Sequence, residues 1–481
     1  MHSISLCALL LLLPTFAFSQ SGTQKLLDQT ARAENLQAGM LGAYAVKVNN
    51  GQVIAQHNAQ KIHIPASTLK AVTTATALGI LGADYQFKTE LQYDGRIEDG
   101  ILRGNLYIKG FGDPTLGSDQ MQEATDLETV TQEWVAAIQK AGIQRIEGKI
   151  IGDGSYFKGN MAGRNWQWSD LGNYYASGVW GLNLHENFYY LSFQQQARLG
   201  MTPPVAKVSP EVPNLYFINE LKSAGRNTGD NAYIYGGPYA YTRFIRGTIP
   251  VGSGLFTIKG SLPDPPFFAA HQLLYALEEA GIATARKLAT DIEEKSTSTR
   301  TTFHTHYSPK LSAIAKRANY KSVNIYCESM LRAIGAKSNA KNSLQGGINA
   351  TKTYWEQKGV NVKGWYLEDG SGLSARNGIT PKQLAQILQI IARDKTAFQA
   401  FYNTLPVGGQ SGTIKYLFKG TRAQGNIRAK SGSIGRVRAY AGYATTRSGE
   451  LVAFTFLANN YTGGSGAVRK QLERLMVSLC D

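Results

Sequence analysis

A serine and a lysine three residues apart are the first candidates for chemistry. Ser67 and Lys70 open a stretch that carries no charged residue from Ala71 to Gly82. On a helix this spacing places the hydroxyl and the amine on one face, one turn apart. A serine hydroxyl is a poor nucleophile until a base removes its proton, and a lysine in apolar surroundings has the lowered pKa that such a base needs. The pair therefore predicts acyl transfer to the serine.

The same Ser-x-x-Lys spacing recurs twice, and only the surroundings distinguish the three copies. Ser155 lies in a glycine-flanked turn before Lys158, and Ser338 precedes a polar segment that includes Lys341. Ser67 alone begins a segment that is apolar enough to be enclosed as a helix on nearly every side. Taken by itself, this copy leaves open the alternative of an exposed serine and lysine on one helix face.

A Ser-x-Asn sequence occurs once, at Ser322-Val323-Asn324. It stands at the start of an apolar segment with helical spacing. A second hydroxyl at this place can relay a proton from the base to a leaving amine, and the amide can hydrogen-bond both the lysine and a substrate carbonyl. The alternative is a serine that caps the start of a helix, which is a very common use of that residue.

A Lys-Ser-Gly sequence, Lys430-Ser431-Gly432, lies on the first of three strand-like runs near the carboxyl end. A cation and a hydroxyl on a strand edge can bind a carboxylate, and a glycine allows another backbone to approach closely. The alternative is an exposed lysine on an edge strand.

Elements from both ends of the chain must position these three sequences. Residues 43–48 and 53–55 alternate around an Asn-Gly turn and predict a hairpin. Three further runs predict an antiparallel meander: residues 427–434, 438–445 and 451–457. The tail, residues 468–479, has helical spacing and is expected to pack on the sheet, with a membrane-surface helix as the alternative.

The middle of the chain has a different composition. Residues 91–287 are rich in Gly, Tyr and Asn and contain frequent turn signals. We interpret them as an inserted β-rich region made of two smaller modules. Residues 20–90 and 288–481 then form one discontinuous domain, an antiparallel sheet covered by helices. The predicted fold class is α+β.

Length and composition restrict the remaining possibilities. The 481 residues predict about three domains, and a hydrophobic content of 43% excludes a disordered chain. The three cysteines, Cys7, Cys327 and Cys480, are too few for a disulfide scaffold or a multi-cysteine metal site. Whether Cys327 and Cys480 pair stays open. The net charge of +16 is spread without a dense basic run, so nucleic acid is not an expected partner.

Residues 1–19 predict a secretory signal peptide. An unbroken apolar run, Leu6 to Leu13, is followed by Pro14 and a small-residue end. The run is shorter than the ~20 residues that a membrane span needs, although an uncleaved anchor is the alternative. We therefore expect an exported protein of the periplasm or cell envelope. Its positive charge favours peripheral association with anionic envelope surfaces.

In their order along the chain, the three sequences correspond to the motif set of active-site-serine β-lactamases and penicillin-binding proteins. The chain resembles the D-alanyl-D-alanine carboxypeptidase/endopeptidase family of low-molecular-mass class C penicillin-binding proteins over nearly all of its mature length. Four segments extend the resemblance: residues 112–116 (GDPTL), 322–328 (SVNIYCE), 369–374 (DGSGLS) and 430–443. The resemblance implies a serine β-lactamase/transpeptidase-like domain interrupted by an insert.

The resemblance also implies an activity. An exported serine-type D-Ala-D-Ala carboxypeptidase would cut peptidoglycan stem peptides, and DD-endopeptidase cleavage of the D-Ala-to-diaminopimelate cross-link stays open. Ser67 would be the acylated nucleophile, Lys70 its general base and Ser322 the proton relay. Asn324 would orient the base and the substrate amide. Water would hydrolyse the acyl-enzyme, so neither a metal nor a cofactor is implied, and β-lactam antibiotics would be inhibitors.

Substrate-binding residues follow from the same resemblance. The Lys430-Ser431-Gly432 sequence would hold the carboxylate end of the substrate, and the backbone N–H groups of Ser67 and Ser433 would form an oxyanion hole. An acidic residue like Asp153 would read the free end of the diaminopimelate side chain.

Two departures from the family pattern concern substrate binding. The family often has Thr where Ser431 stands, a change that keeps the hydroxyl. Members commonly place Arg directly after DGSGLS, whereas this chain has Ala375 there and Arg376 one residue later. The side-chain preference in the stem peptide therefore stays open.

Other functions compete with this interpretation. A secreted serine β-lactamase needs a supporting Glu loop, which we do not find in the sequence, and a catalytically silent wall-binding scaffold shares the export and the charge. A lipase-like hydrolase is disfavoured because no Gly-x-Ser-x-Gly elbow occurs. His304 and His306 lack an evident third partner and are interpreted as a solvated strand pair rather than a metal site.

Overall fold

The computed structural model describes residues 21–295, 298–338, 342–394 and 396–481. The predicted signal peptide, with Cys7, lies outside these ranges, and so does Lys341. Within the ranges, no helix combines the length and the apolar composition that crossing a membrane requires.

The amino-terminal part of the chain consists of helices, a hairpin and one long buried helix. Its elements are α1 (Gly22–Ala31), α2 (Glu34–Gln37), β1 (Met40–Lys47), β2 (Val53–His57), a 3₁₀ turn (Ala66–Thr68) and α3 (Leu69–Ile80). The hairpin predicted around the Asn-Gly turn is therefore confirmed.

The middle of the chain contains sixteen strands and three helices in the described residues. In order they are β3 (Lys88–Tyr93), β4 (Arg96–Glu98), β5 (Ile101–Arg103), β6 (Leu106–Gly110), α4 (Leu127–Lys140), β7 (Arg145–Ile146), β8 (Ile150–Asp153), α5 (Trp168–Leu171), β9 (Phe188–Gln194), β10 (Val205–Ser209), β11 (Tyr216–Asn219), β12 (Lys222–Ala224), β13 (Asn231–Tyr235), β14 (Thr242–Pro250), β15 (Leu255–Ser261), α6 (Pro265–Glu279), β16 (Ala283–Thr284), β17 (Leu288–Thr290) and β18 (Thr301–Tyr307).

The carboxyl-terminal part is mainly helical before it ends in a meander and a helix. Its elements are α7 (Leu311–Lys321), α8 (Asn324–Lys337), α9 (Leu344–Gln357), α10 (Pro381–Arg393), α11 (Phe398–Tyr402), β19 (Ile427–Ile434), β20 (Val437–Thr445), β21 (Leu451–Asn459) and α12 (Ser465–Ser478). The three predicted meander strands are observed within a few residues of their expected bounds.

One antiparallel sheet joins the two ends of the chain, in the order β19-β20-β21-β1-β2. Alternate residues of β1 contribute to different apolar clusters, because successive side chains of a strand point to opposite faces. Tyr44 packs with the helical cluster around α3, whereas Ala43 and Ala45 pack with α1 and α12. The sheet is thus covered by helices on both faces, and the predicted α+β fold class is confirmed.

Helix α3 lies at the centre of the larger helical cluster. Every residue from Leu69 to Leu78 is buried, as the absence of charge in this segment predicts. Its buried threonine hydroxyls are paired: Trp355 Nε1 donates to Thr76 Oγ1 over 2.7 Å, and Asn319 Nδ2 donates to Thr74 Oγ1 over 3.0 Å. This packing holds the amino end of α3, and with it Ser67, in a fixed position.

The middle region forms four sheets around an apolar cluster of its own. The strand orders are β17-β8-β6-β3-β18, β16-β7-β5-β4, β10-β9-β15 and β11-β14-β12, with β13 paired to β14. The largest of these sheets crosses both expected boundaries of the insert, because β3 begins at Lys88 and β18 ends at Tyr307. Helices α4 and α6 were not predicted in this region, although Asp126 and Asp264 cap their starts.

The Ser-x-Asn sequence stands at the start of α8, as expected, but the alternative of Ser322 as the cap of that helix is wrong, because Val323 occupies the cap position. Ser322 is the left-handed residue that ends α7, with φ of 60° and ψ of 38°, and α8 begins only at Asn324. Helices α7 and α8 are therefore separate elements, divided at Ser322 and Val323. A residue in the left-handed conformation ends a helix by changing the direction of the backbone.

The two described cysteines are both buried and both free. Cys327 belongs to the cluster around α3, and Cys480 belongs to the cluster on the opposite face of the sheet. The question of their pairing is thus settled by the sheet that separates them.

The close packing of α8 on α9 yields a test of the fold. A Cβ on Gly347 would lie 1.9 Å from the Leu331 carbonyl oxygen, a backbone atom that cannot turn aside. We expect Gly347→Ala to lower the free energy of unfolding by about 2 kcal/mol, the usual cost of overpacking. Gly466→Ala on α12, where a Cβ meets nothing within 4 Å, is the matched control and should be neutral or stabilising. Urea unfolding checks both, and equal stability of the two variants would contradict the expected clash.

Candidate active site

The first site residue, Ser67, lies in the 3₁₀ turn that precedes α3. Ala66 beside it is fully buried and has φ of 45°, a left-handed conformation that is uncommon for a residue with a Cβ and is typical of functional sites. A Cβ on Gly372 would lie only 1.9 Å from the Ala66 carbonyl oxygen, so a glycine is required there. The DGSGLS segment thus packs directly against the backbone that carries Ser67.

Lys70 is completely buried beside Ser67. Its Nζ lies 2.9 Å from Ser67 Oγ and 2.7 Å from the Ser371 carbonyl oxygen. Burial lowers the pKa of Lys70, and the neighbouring Cys327, Asp369 and Glu328 oppose that shift only in part. A lysine with a lowered pKa at hydrogen-bond distance from a serine hydroxyl is able to accept its proton.

A second buried lysine, Lys430, occupies the same site. Its Nζ lies 3.0 Å from Ser322 Oγ and 2.7 Å from the Ser431 carbonyl oxygen. Burial, and next the positive charge of Lys70, hold the pKa of Lys430 well below its usual range. The structure therefore brings Ser67, Lys70, Ser322 and Lys430 together as two lysine–serine pairs.

Asn324 reaches the site from the first turn of α8. Its Nδ2 donates to the Tyr175 carbonyl oxygen over 2.6 Å. One amide hydrogen of Asn324 is therefore directed to the inserted region, so that one wall of the site is fixed by a contact between distant parts of the chain.

The edge strand β19 forms the opposite side of the site. Ser431 Oγ donates to Thr413 Oγ1 over 2.7 Å, and Ser433 is exposed at the cleft. A Cβ on Gly432 would lie 2.8 Å from the Pro65 carbonyl oxygen and 3.0 Å from the Ser67 nitrogen. Glycine at this position lets β19 approach the turn that carries Ser67.

An open cleft of about 610 Å³ lies over these residues. Ser67, Ser322, Asn324 and Ser433 line it from the sheet-and-helix part of the chain. The other wall comes from the inserted region: Gln167, Ser169, Asp170, Tyr174, Tyr175, Tyr233 and Tyr235. The lining of the cleft is thus largely polar and aromatic.

Asp153 is not among the residues that line this cleft. Both of its carboxylate oxygens are paired, with Lys109 Nζ at 2.8 Å and with Arg300 Nη1 at 2.6 Å. Burial opposes ionisation, yet Lys109 holds the pKa of Asp153 at about 2. The acidic group that the inserted region does place in the cleft is Asp170, which accepts a hydrogen bond from Tyr175 Oη over 3.0 Å.

The two residues that follow DGSGLS, where the chain departs from the family pattern, have different surroundings. Ala375 is exposed and lines the cleft, whereas Arg376 lies beside it and donates to Asn165 Oδ1 over 3.3 Å. Asn165 in turn donates to Glu368. The arginine is therefore tied to the inserted region through the neutral side chain of Asn165.

Two buried carboxylates support the site, and the sequence analysis gave them no role. Glu328 Oε1 accepts from the backbone N–H groups of Gly370 and Ser371 over 3.0 and 2.9 Å. Burial, with the nearby charge of Asp369, raises the pKa of Glu328 to about 7. A glutamate among the apolar residues of α8 was the available signal, because acidic side chains are rarely buried without a specific partner.

Asp369 organises the same loop from the other side. Its carboxylate accepts four hydrogen bonds, from Trp166 Nε1, Gly372 N, Ser374 N and Asn377 Nδ2. Trp166 belongs to the inserted region, so this carboxylate also joins the insert to the loop beside Ser67.

No three potential metal ligands converge anywhere in the ranges given above. Of the two histidines weighed as a metal pair, His306 lies on β18 with its Nδ1 3.0 Å from Glu133 Oε2. The observed pairing of His306 is therefore with one carboxylate of α4.

Three features define the class of protein to which the chain belongs. They are a serine and a lysine at the start of a helix, a second serine with an asparagine between two helices, and a lysine on the edge strand of an antiparallel sheet. This is the class of active-site-serine penicillin-binding proteins and β-lactamases. Comparisons with known proteins narrow it. The sequence profile of the D-Ala-D-Ala carboxypeptidase 3 (S13) family matches residues 23–480. The chain therefore belongs to this family of serine-type carboxypeptidases, and the predicted family and enzyme class are confirmed.

Individual relatives agree with this assignment. The chain is 27% identical to D-alanyl-D-alanine carboxypeptidase DacB of Haemophilus influenzae over 457 residues, which are 94% of this chain and 90% of the relative. It is 26% identical to the D-alanyl-D-alanine carboxypeptidase of Actinomadura sp. strain R39, across 91% of this chain and 81% of the relative. The crystal structure of penicillin-binding protein 4 (DacB) from H. influenzae superposes with a TM-score of 0.82 at 26% identity, covering 95% and 98% of the two chains.

The tight contact of Gly432 yields a test of the site. Gly432→Ala pushes β19 away from the Ser67 nitrogen, and a displacement of about 1 Å costs on the order of 100-fold in rate. We expect the rate of acylation by labelled penicillin to fall by about this factor while the thermal midpoint stays near that of the wild type. Gly464→Ala, at a site open to solvent, is the control. Wild-type acylation by Gly432→Ala would contradict the proposed contact.

Proposed function

We propose that the chain is an exported D-Ala-D-Ala carboxypeptidase that cuts peptidoglycan stem peptides through an acyl-enzyme on Ser67. The observation that carries the proposal is the pairing of two buried lysines with two serines at the base of one cleft: Lys70 with Ser67 and Lys430 with Ser322. Membership of a carboxypeptidase family supports the reaction type.

Acylation begins with Lys70 in its neutral form. Burial lowers the pKa of Lys70, so the amine accepts the Ser67 proton and the oxygen attacks the carbonyl carbon of the penultimate D-Ala. The negative charge that develops on the carbonyl oxygen is stabilised by the backbone N–H groups of Ser67 and Ser433.

Loss of the leaving group needs a proton on its amine. The Ser322 hydroxyl supplies this proton and regains one through the lysine pair, since Lys430 Nζ lies 3.0 Å from its Oγ. The C–N bond breaks and free D-Ala leaves. Water then attacks the ester, its proton passes to Lys70, and Ser67 is released with the shortened peptide.

The carboxylate end of the substrate binds along β19. Lys430 provides the positive field there, and Thr413, whose Oγ1 accepts from Ser431, provides its own hydroxyl as a donor. Serine at position 431 supplies the same hydroxyl as the threonine that is frequent in the family. Asn324 orients the substrate amide from the other wall.

Asp170 takes the place that the sequence analysis gave to Asp153. Its carboxylate lies in the cleft on the inserted wall, and burial raises the pKa of Asp170, with the Tyr175 hydroxyl as hydrogen-bond partner. A carboxylate in this position suits the ammonium group of a diaminopimelate side chain. Cleavage of D-Ala-to-diaminopimelate cross-links is part of the proposal for the same reason.

Location and domain organisation belong to the proposal as well. The apolar run in residues 1–19 supports export, and a net charge of +16 supports association with the anionic envelope. The single sheet formed by β1, β2 and β19 to β21 supports a discontinuous catalytic domain with the middle region inserted.

β-Lactams are the inhibitors that this site would accept, because their strained amide acylates Ser67 in the way that the peptide does. The H. influenzae relative has been crystallised as a complex with a β-lactam. The two alternatives predict other outcomes: a β-lactamase turns over a chromogenic cephalosporin steadily, and a silent wall-binding scaffold forms no adduct.

Replacement of Ser67 tests the acyl-enzyme. Ser67→Ala removes the attacking oxygen, and we expect D-Ala release from a pentapeptide to fall by about 10⁴-fold or more. Intact-mass measurement after incubation with penicillin should show one stable adduct on the wild type and none on the variant. Peptide mapping of the wild type should place the adduct at Ser67. Ser338→Ala, the exposed serine of a second Ser-x-x-Lys copy, is the control. An adduct on Ser67→Ala would refute the assignment.

Replacement of Glu328 tests the base. The negative charge of Glu328 raises the pKa of Lys70, so Glu328→Gln should lower that pKa further and move the acidic limb of the acylation pH profile to lower pH. The effect of the substitution on the Lys70 pKa should be greatest above the Glu328 pKa of about 7, where the wild-type carboxylate is charged. Glu368→Gln, next to the same loop but paired with Asn165, is the control. An unshifted limb would show that Lys70 is not the titrating base.

A further inference from the structure

Three consecutive residues before β9 have left-handed backbone conformations. His185, Glu186 and Asn187 have φ of 54°, 50° and 56°. Each of them carries a Cβ, which makes this conformation costly, and left-handed residues normally occur singly. No other run of three occurs in the ranges that the structure describes. Such a turn persists only where its surroundings hold it, and strained turns of this kind are typical of functional sites.

The surroundings of this turn are rigid. All three of its residues are buried. Asn187 Nδ2 donates to Asn183 Oδ1 over 2.8 Å, and the backbone N–H of Leu262 donates to the Asn187 carbonyl oxygen over 2.8 Å. Because these partners all belong to the inserted region, the insert fixes the backbone that carries the Glu186 side chain.

The Glu186 carboxylate reaches the two helices on either side of Ser322. Tyr326 on α8 donates from its Oη to Glu186 Oε1 over 2.6 Å. Arg317 on α7 places its Nε 3.9 Å from the same oxygen. Ser118 of the inserted region also donates to this oxygen, over 2.6 Å. One carboxylate oxygen thus bridges α7 and α8 across the break at Ser322.

The bond from Tyr326 is a durable part of this bridge. Burial, and next the charge of Glu186, hold the pKa of the Tyr326 hydroxyl well above its usual range, so the hydroxyl keeps its proton at neutral pH. Its length of 2.6 Å lies in the range of charge-assisted hydrogen bonds between a hydroxyl and a carboxylate. Helix α8 is therefore held to the inserted region at its second residue after Asn324 by a strong polar contact.

The position of the Ser322 hydroxyl depends on how α7 and α8 are arranged. Ser322 ends α7 in a left-handed conformation, and its Oγ lies 3.0 Å from Lys430 Nζ. A small movement of one helix relative to the other therefore displaces this hydroxyl. In the proposed mechanism the hydroxyl gives a proton to the leaving amine, a step that requires hydrogen-bond distance. The attack of Ser67, which lies on other elements, depends on this arrangement less directly.

We propose that Glu186 is a positioning residue for Ser322: by bridging α7 and α8 it holds the Ser322 hydroxyl within reach of the leaving amine. The inference rests on the proposed function, because Ser322 has this task only in that reaction. The bond changes stay the same. The Ser67 Oγ–carbon bond forms, the amide C–N bond breaks, and the amine leaves with a proton from Ser322, while Glu186 exchanges no proton.

Two substrates that differ in their leaving group test the inference. One is a pentapeptide that ends in D-Ala-D-Ala, and the other has sulfur in place of the nitrogen of the scissile bond. A thiol has a pKa of about 8.5, so the thiolate leaves without a proton, whereas an amine does not. Purified full-length protein is used, and kcat/KM is measured for each substrate. We expect Glu186→Ala to lower the ratio of amide to thioester kcat/KM by about 100-fold, the effect of withdrawing a general acid.

Three further variants accompany Glu186→Ala. Glu186→Gln keeps an oxygen that accepts from Ser118 and Tyr326, and it should restore most of the ratio. Tyr326→Phe removes the donor on α8 and should lower the ratio. Glu133→Ala is the matched control, because it removes another glutamate of the inserted region, one that pairs with His306 and does not line the catalytic cleft. Its ratio should equal that of the wild type.

Ser322→Ala is the reference, because it removes the proton donor itself. If Ser322→Ala lowers the ratio but Glu186→Ala and Tyr326→Phe slow both substrates equally or not at all, the inference is overturned and the proposed function stands. If Glu186→Ala does not fold, Tyr326→Phe decides by itself. An unchanged ratio in Ser322→Ala would overturn the role of Ser322 together with the inference. A wild type that neither releases D-Ala nor is acylated by penicillin would overturn the proposed function as well.

Discussion

The site depends on keeping two ammonium groups out of water within one cluster. Lys70 and Lys430 are both fully buried, and the loss of water around each amine lowers its pKa. Burying one cation without partners costs several kcal/mol, and a second like charge adds to that cost. The backbone carbonyls of Ser371 and Ser431 and two nearby carboxylates offset this free-energy cost. A lysine that is poised to lose its proton is the chemical result.

The partners of the lysines are themselves fixed by backbone contacts. Glu328 binds two successive N–H groups of the 370–374 loop, which aims the Ser371 carbonyl at Lys70. Gly372 and Gly432 then touch the backbone on either side of Ser67, at distances that admit no side chain. The geometry of the candidate active site is therefore set by main-chain packing between segments that are remote in sequence.

The inserted region contributes hydrogen bonds and lining residues to the site. Trp166 donates to Asp369, and Tyr175 accepts from Asn324, so one short stretch of the insert holds both the loop beside Ser67 and the start of α8. The same stretch supplies Asp170, Tyr174 and Tyr175 to the lining of the cleft. The insert thus both fixes the position of the site residues and forms one wall of the cleft.

By itself, the sequence determined the elements of the terminal sheet, the buried helix and the residue types that could react. Alternation defined the hairpin and the meander, the uncharged segment after Lys70 defined the buried helix, and motif order indicated the family, because these signals act between near neighbours in the chain. Tertiary structure alone decided that Ser322 ends a helix in a left-handed conformation, that Lys109 and Arg300 neutralise Asp153 and that Asp170 lies in the cleft. Burial and charge pairing arise between residues far apart in sequence, and no local spacing encodes them.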